Sequence, residues 1–494
     1  MKRAALTVVL FAILSLLVIP LYPHFVSPNE FARWALAVAL VEHHTTELTQ
    51  VATILGPRFE DLSTIDGRLY SNKAPGATLV GTMGYVLARP FTTSIRPLLT
   101  AMRLVASTLP LILLALLMIT LAKRLGHEDR APLVVAALLF GTPLFAYGLL
   151  LFAHALVAAA LFAAWAFLFI DDRPLLAGAL IGIAVFSEYP AAVPALVLLI
   201  VAWNRVLKVI AGGLPFAIAL AAYHYISFGS IFRLPYGNDQ YGAFRELSRS
   251  GIYGIEFPSL LTALKFFFDP GFGLFVLSPV LILAVLALVN AKRKLAPRAF
   301  AAFILTPLSM IVVYSGYPNW QGGWSVGPRY VMPIVPFLTF ALVFRKRDWI
   351  EPLLLGFSVA AVGLITLTFP FVPVEFSIPW GTLSLPLLRD GLVAPNLLHL
   401  VWHPAALVVP FVLVAFAVML DRRWWLTVLG GATAIGIGFL AAAHPSPRER
   451  IERAYIEDVY FERRGTLERV MPPGAPIFRR RDAERKLPPS SWPF

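Results

Sequence analysis

The chain has 494 residues, 58% of them hydrophobic and only 14% charged, with a mean hydropathy of +0.75. A soluble domain carries closer to about a quarter charged residues, so an ordinary soluble enzyme is excluded, and the apolar and aromatic content excludes a disordered chain. The formal net charge is +13; in a membrane chain such an excess first serves to hold basic loops on the cytoplasmic side, and it does not point to nucleic acid.

In chain order, the first apolar run, 4–22, follows Lys2-Arg3 and resembles a signal peptide. It closes with Pro20-Leu21-Tyr22-Pro23 and has no small-residue cleavage site, so it reads as a retained helix. Further runs long enough to cross about 30 Å fall at 99–122, 131–150, 152–170, 174–190, 191–204, 207–226, 273–291, 299–316, 329–344, 350–372, 399–420 and 424–443. The run 191–204 is short and shares a kinked pair with its predecessor across Pro190. The run 75–91 is short and rich in Gly and Thr. If it lies flat on the outer surface, the clusters Lys2-Arg3, Lys123-Arg124, Arg173, Arg205, Lys292-Arg293-Lys294, Arg345-Lys346-Arg347 and Arg422-Arg423 all fall on the cytoplasmic side. If it spans, every cluster after the first is inverted.

The prediction is therefore an all-α polytopic protein of the cytoplasmic (inner) membrane, with about 13 transmembrane helices and juxtamembrane helices in the first outer loop. Its amino terminus is cytoplasmic. Residues 1–443 form the membrane domain, and 444–494 form a basic tail, placed outside by this count although Arg479-Arg480-Arg481 favours the inside. Within the tail, Ile451, Tyr455 and Val459 predict one amphipathic helix, followed by Pro-rich coil. The long outer segments are 23–98, 227–272, 317–328 and 373–398, so polar chemistry gathers on one face.

The first outer segment opens with Ser27-Pro28-Asn29-Glu30, which reads as a capping box. Glu30 is then either a helix-start carboxylate or a general base at the lipid–water boundary. The segment closes with Asp66-Gly67-Arg68-Leu69-Tyr70-Ser71-Asn72-Lys73-Ala74-Pro75, where Asp66-Gly67 signals a turn. Its cations either snorkel from a polar loop or, through Lys73 with Arg68, neutralise a phosphate headgroup. Glu188, at the outer end of a span, is a costly carboxylate that is paired or functional. Trp320-Gln321-Gly322-Gly323-Trp324-Ser325-Val326-Gly327-Pro328-Arg329-Tyr330 joins two spans. Its Trp residues stack on a sugar or sit in the interfacial belt, and Arg329 is a second phosphate ligand candidate. His154 reads as structural. With Cys absent and no metal-ligand cluster evident, no metal site is assigned.

Asn29-Glu30 together with Tyr70-Ser71-Asn72-Lys73-Ala74-Pro75 resembles the first-loop motifs of the GT-C superfamily of membrane glycosyltransferases. The resemblance is to the family 39 type, which includes protein O-mannosyltransferases and lipid A aminoarabinose transferases. It covers residues 1 to about 345. Two departures stand out: the family's acidic pair is often Asp-Glu where this chain has Asn29-Glu30, and the next outer loop offers only Tyr147 and His154 where a second acid is common.

The resemblance implies an inverting hexosyl- or pentosyltransferase with a periplasmic active site. It would move a sugar from a polyprenyl-phosphate donor to a hydroxyl or amine of a glycan, lipid or protein acceptor. Glu30 would be the base and Lys73 and Arg329 the phosphate ligands. Asp66, Arg68, Tyr70, Glu188, Trp320 and Tyr330 would complete substrate binding among the membrane lipids. It implies no organic cofactor and leaves a divalent cation open. The competing readings are a transporter or lipid flippase without transferase activity, and a non-catalytic scaffold.

Overall fold

The computed structural model describes residues 2–55, 61–419, 423–472 and 474–485. Arg422 and the Pro-rich end, 486–494, lie outside the described residues. The protein is an all-α membrane protein, with one two-stranded hairpin among the described residues. Among the described residues, five helices are long and apolar enough to cross a bilayer: Ile95–Arg124, Trp203–Phe228, Pro297–Ser315, Ile350–Thr368 and Trp424–Ala442.

The other apolar runs fall on shorter or broken helices. Ala131–Phe140 stops at Gly141 and restarts as Leu144–Tyr147 after Pro143. Arg329–Ile334 is a 3-10 turn containing Pro333 that feeds a short α-helix, Val335–Ala341. Proline supplies no backbone N–H and removes a helical hydrogen bond, which favours a break at these points. Helix length alone therefore does not fix the predicted number of spans.

The 76–88 segment is a helix of 13 residues, Gly76–Ala88. At about 1.5 Å per residue it covers about 20 Å. It packs against the end of Pro174–Ser187 and the start of Ile95–Arg124. A Cβ on Gly76 would stand 2.6 Å from Ser187 Oγ, and one on Gly84 would stand 2.3 Å from the Ala101 carbonyl oxygen. These contacts define the loop-rich face. The second loop joins the first there: Gln240 N donates to the Leu62 carbonyl at 2.8 Å, beside a bridge between Ser63 and Asp239.

The tail docks on the same face. Ser446 and Glu449 form a capping box at the start of Pro447–Tyr460. Tyr455 and Tyr460 pack edge-on against Trp324, and Tyr460 also meets Phe369. Tyr455 and Val459 are buried and Ile451 is half-buried, so the amphipathic stripe presses onto protein.

Small residues let the spans approach closely, because lipid gives helices little hydrophobic reason to associate and close packing must hold them. Gly178 lies against the Val209 carbonyl and Gly430 against the Leu353 carbonyl, where an added Cβ would meet oxygen at 2.0 and 1.8 Å. Gly178→Val should therefore separate Pro174–Ser187 from Val206–Phe228 and cost at least about 2 kcal/mol. A lowered thermal midpoint in detergent, or loss of folded protein, is the expected result.

Candidate active site at the loop-rich face

Helix Pro28–Glu42 starts as its sequence predicts, with Ser27 as N-cap and Pro28 in the first turn. The predicted capping box does not form. Ser27 Oγ accepts from Asn29 N, and the Glu30 carboxylate turns away from the cap. Glu30 instead accepts two hydrogen bonds from Arg103, Nε at 2.8 Å and Nη2 at 2.7 Å, and a third from Leu151 N at 2.7 Å. It is 1% exposed.

One residue earlier, Asn29 faces a cavity of about 270 Å³. Its Oδ1 accepts from Arg33 Nε at 2.9 Å, and Arg33 Nη1 also donates to the Ala74 carbonyl at 3.3 Å. Arg33 thus ties the helix to the Lys73-Ala74 segment.

That segment leaves a two-residue hairpin. Strands Leu62–Ile65 and Arg68–Ser71 pair antiparallel through Asp66-Gly67, both with positive φ of 52° and 79°. This is the double left-handed turn that Asp-Gly favours between twisted strands. Beyond it, Lys73 Nζ pairs with Asp61 Oδ1 at 2.7 Å, and Asn72 Nδ2 donates to Asp239 Oδ2 at 2.6 Å. Tyr241 N donates to the other Asp239 oxygen at 2.8 Å.

A second wall comes from the end of Pro174–Ser187. Glu188 leaves that helix with extended backbone, and Pro190 helps set the following turn. Its carboxylate stands 3.7 Å from His154 Nδ1, too far for a hydrogen bond.

The third wall is 317–330. Gly322 has φ 81°, and a Cβ there would lie 2.4 Å from Arg329 Nε, so only glycine leaves room for this guanidinium. Arg329 lies against Phe152 and Tyr330, and Nη2 donates to the Tyr330 hydroxyl at 3.2 Å. Its Nε is buried without a partner, as are Asn72 Oδ1 and His154 Nδ1. Pro190, Val193 and Val313 give the same cavity an apolar side.

The cavity therefore holds two cations and three carboxylates in different states. Burial pushes the Asp61 carboxyl up, but the Lys73 ammonium and its hydrogen bond, with Arg329 and Asn72, outweigh it and hold Asp61 below the usual range. Asp239 is pushed up to about 6, chiefly by burial, against the hydrogen bonds from Tyr241 N and Asn72. Glu188 alone of the three has no hydrogen bond or close ion pair among the described residues.

Of the residues expected from sequence to bind substrate or act on it, the cavity brings together Lys73, Glu188, Arg329 and Tyr330, with Asn29 and His154 beside them. The other expected site residues stand elsewhere. Glu30, the expected base, is engaged by Arg103 and Leu151 N and does not line the cavity. Asp66 and Arg68 sit exposed at the hairpin tip, facing Arg233 and Glu47 at 3.6 Å each. Tyr70 packs on Phe228, and Trp320 is buried against Phe266 and Phe272.

Asp61, Asn72 and Asp239 are additions that the sequence did not single out. The one local signal was the adjacency of Asn72 to Lys73. Among the described residues, no three His, Cys, Asp or Glu side chains are grouped to hold a metal ion. Asp61 is engaged by Lys73, and Asp239 by Asn72 and Tyr241 N.

No protein-family model and no curated protein matches the chain. Among solved structures it is similar to ArnT from Cupriavidus metallidurans bound to undecaprenyl phosphate, at 17% identity and a TM-score of 0.47, over 93% of this chain and 79% of that one. It is also similar to the oligosaccharyltransferase AglB from Archaeoglobus fulgidus in complex with an inhibitory peptide and a dolichol-phosphate, at 12% identity and a TM-score of 0.45. A second structure of the Archaeoglobus fulgidus oligosaccharyltransferase, tethered with an acceptor peptide, matches at 14% identity and a TM-score of 0.47. The chain covers 58% and 61% of those two archaeal chains.

Two outcomes follow from this geometry. Glu30→Ala strands the buried Arg103 charge and should cost about 3–5 kcal/mol, read as a lowered thermal midpoint; Glu30→Gln keeps an acceptor and should cost less. Asp239 has a folded pKa above its ordinary value. Between pH 4 and 6 the folded state then binds more protons than the unfolded state, and stability falls as pH rises through about 6. Asp239→Asn should flatten that slope in a pH series of unfolding midpoints.

Proposed function

We propose that the chain is an inverting membrane glycosyltransferase. It moves a hexosyl or pentosyl group from a polyprenyl-phosphate donor to a hydroxyl or amine of a glycan, lipid or protein acceptor. The site lies at the outer face of the cytoplasmic membrane, and the amino terminus is cytoplasmic. Residues 1–443 carry the reaction and 444–494 form an accessory tail.

One observation carries this reading. Lys73 and Arg329, two cations with unused donors, face the unpaired Glu188 carboxylate across one small cavity with an apolar side. A phosphate on a lipid tail needs cations beside an apolar wall, and an attacking hydroxyl needs a carboxylate that is not already spent.

In this reading the phosphate accepts from Lys73 Nζ and the Arg329 guanidinium, which suits charge-assisted and bidentate recognition. The acceptor oxygen attacks the anomeric carbon while Glu188 takes its proton. The new C–O bond forms as the bond from the anomeric carbon to the phosphate oxygen breaks. The electron pair leaves with polyprenyl phosphate, whose added charge the two cations stabilise where it develops. In-line displacement inverts the anomeric centre. Asp61 orients Lys73, and Asn72 links the first loop to Asp239.

Purified protein assayed with polyprenyl-phosphate sugars tests the roles separately. Glu188→Gln should lower turnover by about 10²–10⁴ with little change in donor KM. Lys73→Ala and Arg329→Ala should each weaken donor affinity by at least about tenfold. Full turnover in Glu188→Gln would remove it as the base. A chain that translocates lipid but transfers no sugar to any acceptor would favour the flippase reading.

A further inference from the structure

The face opposite the loops holds a larger cavity, about 530 Å³, between Lys2–Val18 and the starts of Ala131–Phe140, Ile350–Thr368 and Trp424–Ala442. Its carboxylates are mostly spent. Glu351 accepts from Arg130 Nη1 at 3.0 Å and also from Nη2, and Asp129 pairs with Arg347 at 3.4 Å. Asp348 pairs with Arg345.

The groups left over are mainly donors. Arg130 is 4% exposed, yet its Nε has no partner. Thr427 is equally buried, and its Oγ1 has none. Lys2 and Arg3 are exposed at the rim, with no side-chain partner among the described residues. Glu128 is the one lining carboxylate without an ion pair there, and it too sits exposed at the rim. A buried guanidinium N–H left without an acceptor is costly.

We propose that this cavity binds the phosphate group of an anionic phospholipid from the leaflet at that face. The unsatisfied donors call for an acceptor-only, negatively charged group, and phosphate supplies several oxygens at once. Leu133, Leu355 and Val418 line the same cavity and offer apolar surface to the acyl chains. The lipid would join the first helix to three helices distant in sequence. This site is separate from the proposed reaction, and neither depends on the other.

The test uses full-length protein, delipidated in a neutral detergent. It is titrated with short-chain phosphatidylglycerol, with phosphatidylcholine of the same chain length, and with inorganic phosphate, while the thermal midpoint is read. Phosphatidylglycerol should raise the midpoint saturably and phosphatidylcholine should not. The double variant Lys2→Gln/Arg3→Gln should weaken phosphatidylglycerol binding by about tenfold or more, in keeping with membrane-surface attraction per cation. Thr427→Val, which leaves every charge in place, should weaken it several-fold. An equal response to inorganic phosphate alone would support the phosphate chemistry but overturn the lipid as its source. Equal responses to both lipids, or unchanged phosphatidylglycerol affinity in both variants, would overturn the proposal.

Discussion

Glu30 and Arg103 lie 73 residues apart in sequence and meet with almost no exposure to solvent. Arg103 also donates to the Pro20 carbonyl, and Glu30 accepts from Leu151 N. One ion pair therefore joins the end of the first apolar segment, the first outer helix, the helix 95–124 and the segment before His154. Removing either partner would strand a charge in a dry place, so the arrangement has few alternatives. With the outer helix fixed in rotation, Asn29 and Arg33 point at the Lys73 segment, and the cavity inherits its shape from that constraint.

Inside the cavity, charges are sorted by what they already touch. Asp61 is held ionised by Lys73, and Asp239 is shared with Asn72 and a backbone N–H. Glu188 is left unengaged. Lys73 keeps donors beyond the one given to Asp61, and Arg329 keeps a buried Nε. A site poised for an anionic leaving group and a proton-bearing nucleophile needs this asymmetry: cations with spare donors on one side, and a carboxylate with spare acceptors on another.

Much of this was legible in the sequence because it is local. Apolar runs gave the helical membrane architecture. Asp66-Gly67 gave the hairpin turn. Glu188 stood out because a carboxylate at membrane depth is expensive, and Lys73 and Arg329 stood out as candidate phosphate ligands. The choice between Asn29 and Glu30 was not legible. Adjacent helical residues point about 100° apart, and only the position of Arg103 decides which one faces the cavity. Nor were Asp61, Asn72 and Asp239, since Asn72 meets Asp239 across 167 residues and only the adjacency of Asn72 to Lys73 gave a local mark. The tail docks on the loop-rich face through aromatic contacts and a capping box, although its arginines favour the other side of a membrane.

The most direct measurement is the position of the phosphorus atom in an experimental structure of the protein in a lipid nanodisc loaded with polyprenyl phosphate. The account predicts phosphate oxygens within hydrogen-bonding distance of both Lys73 Nζ and the Arg329 guanidinium. The lipid chain should leave past Val193 and Val313, and Glu188 should face the position of the bridging oxygen. Phosphate bound away from these two cations, or Glu188 turned out of the cavity, would contradict it.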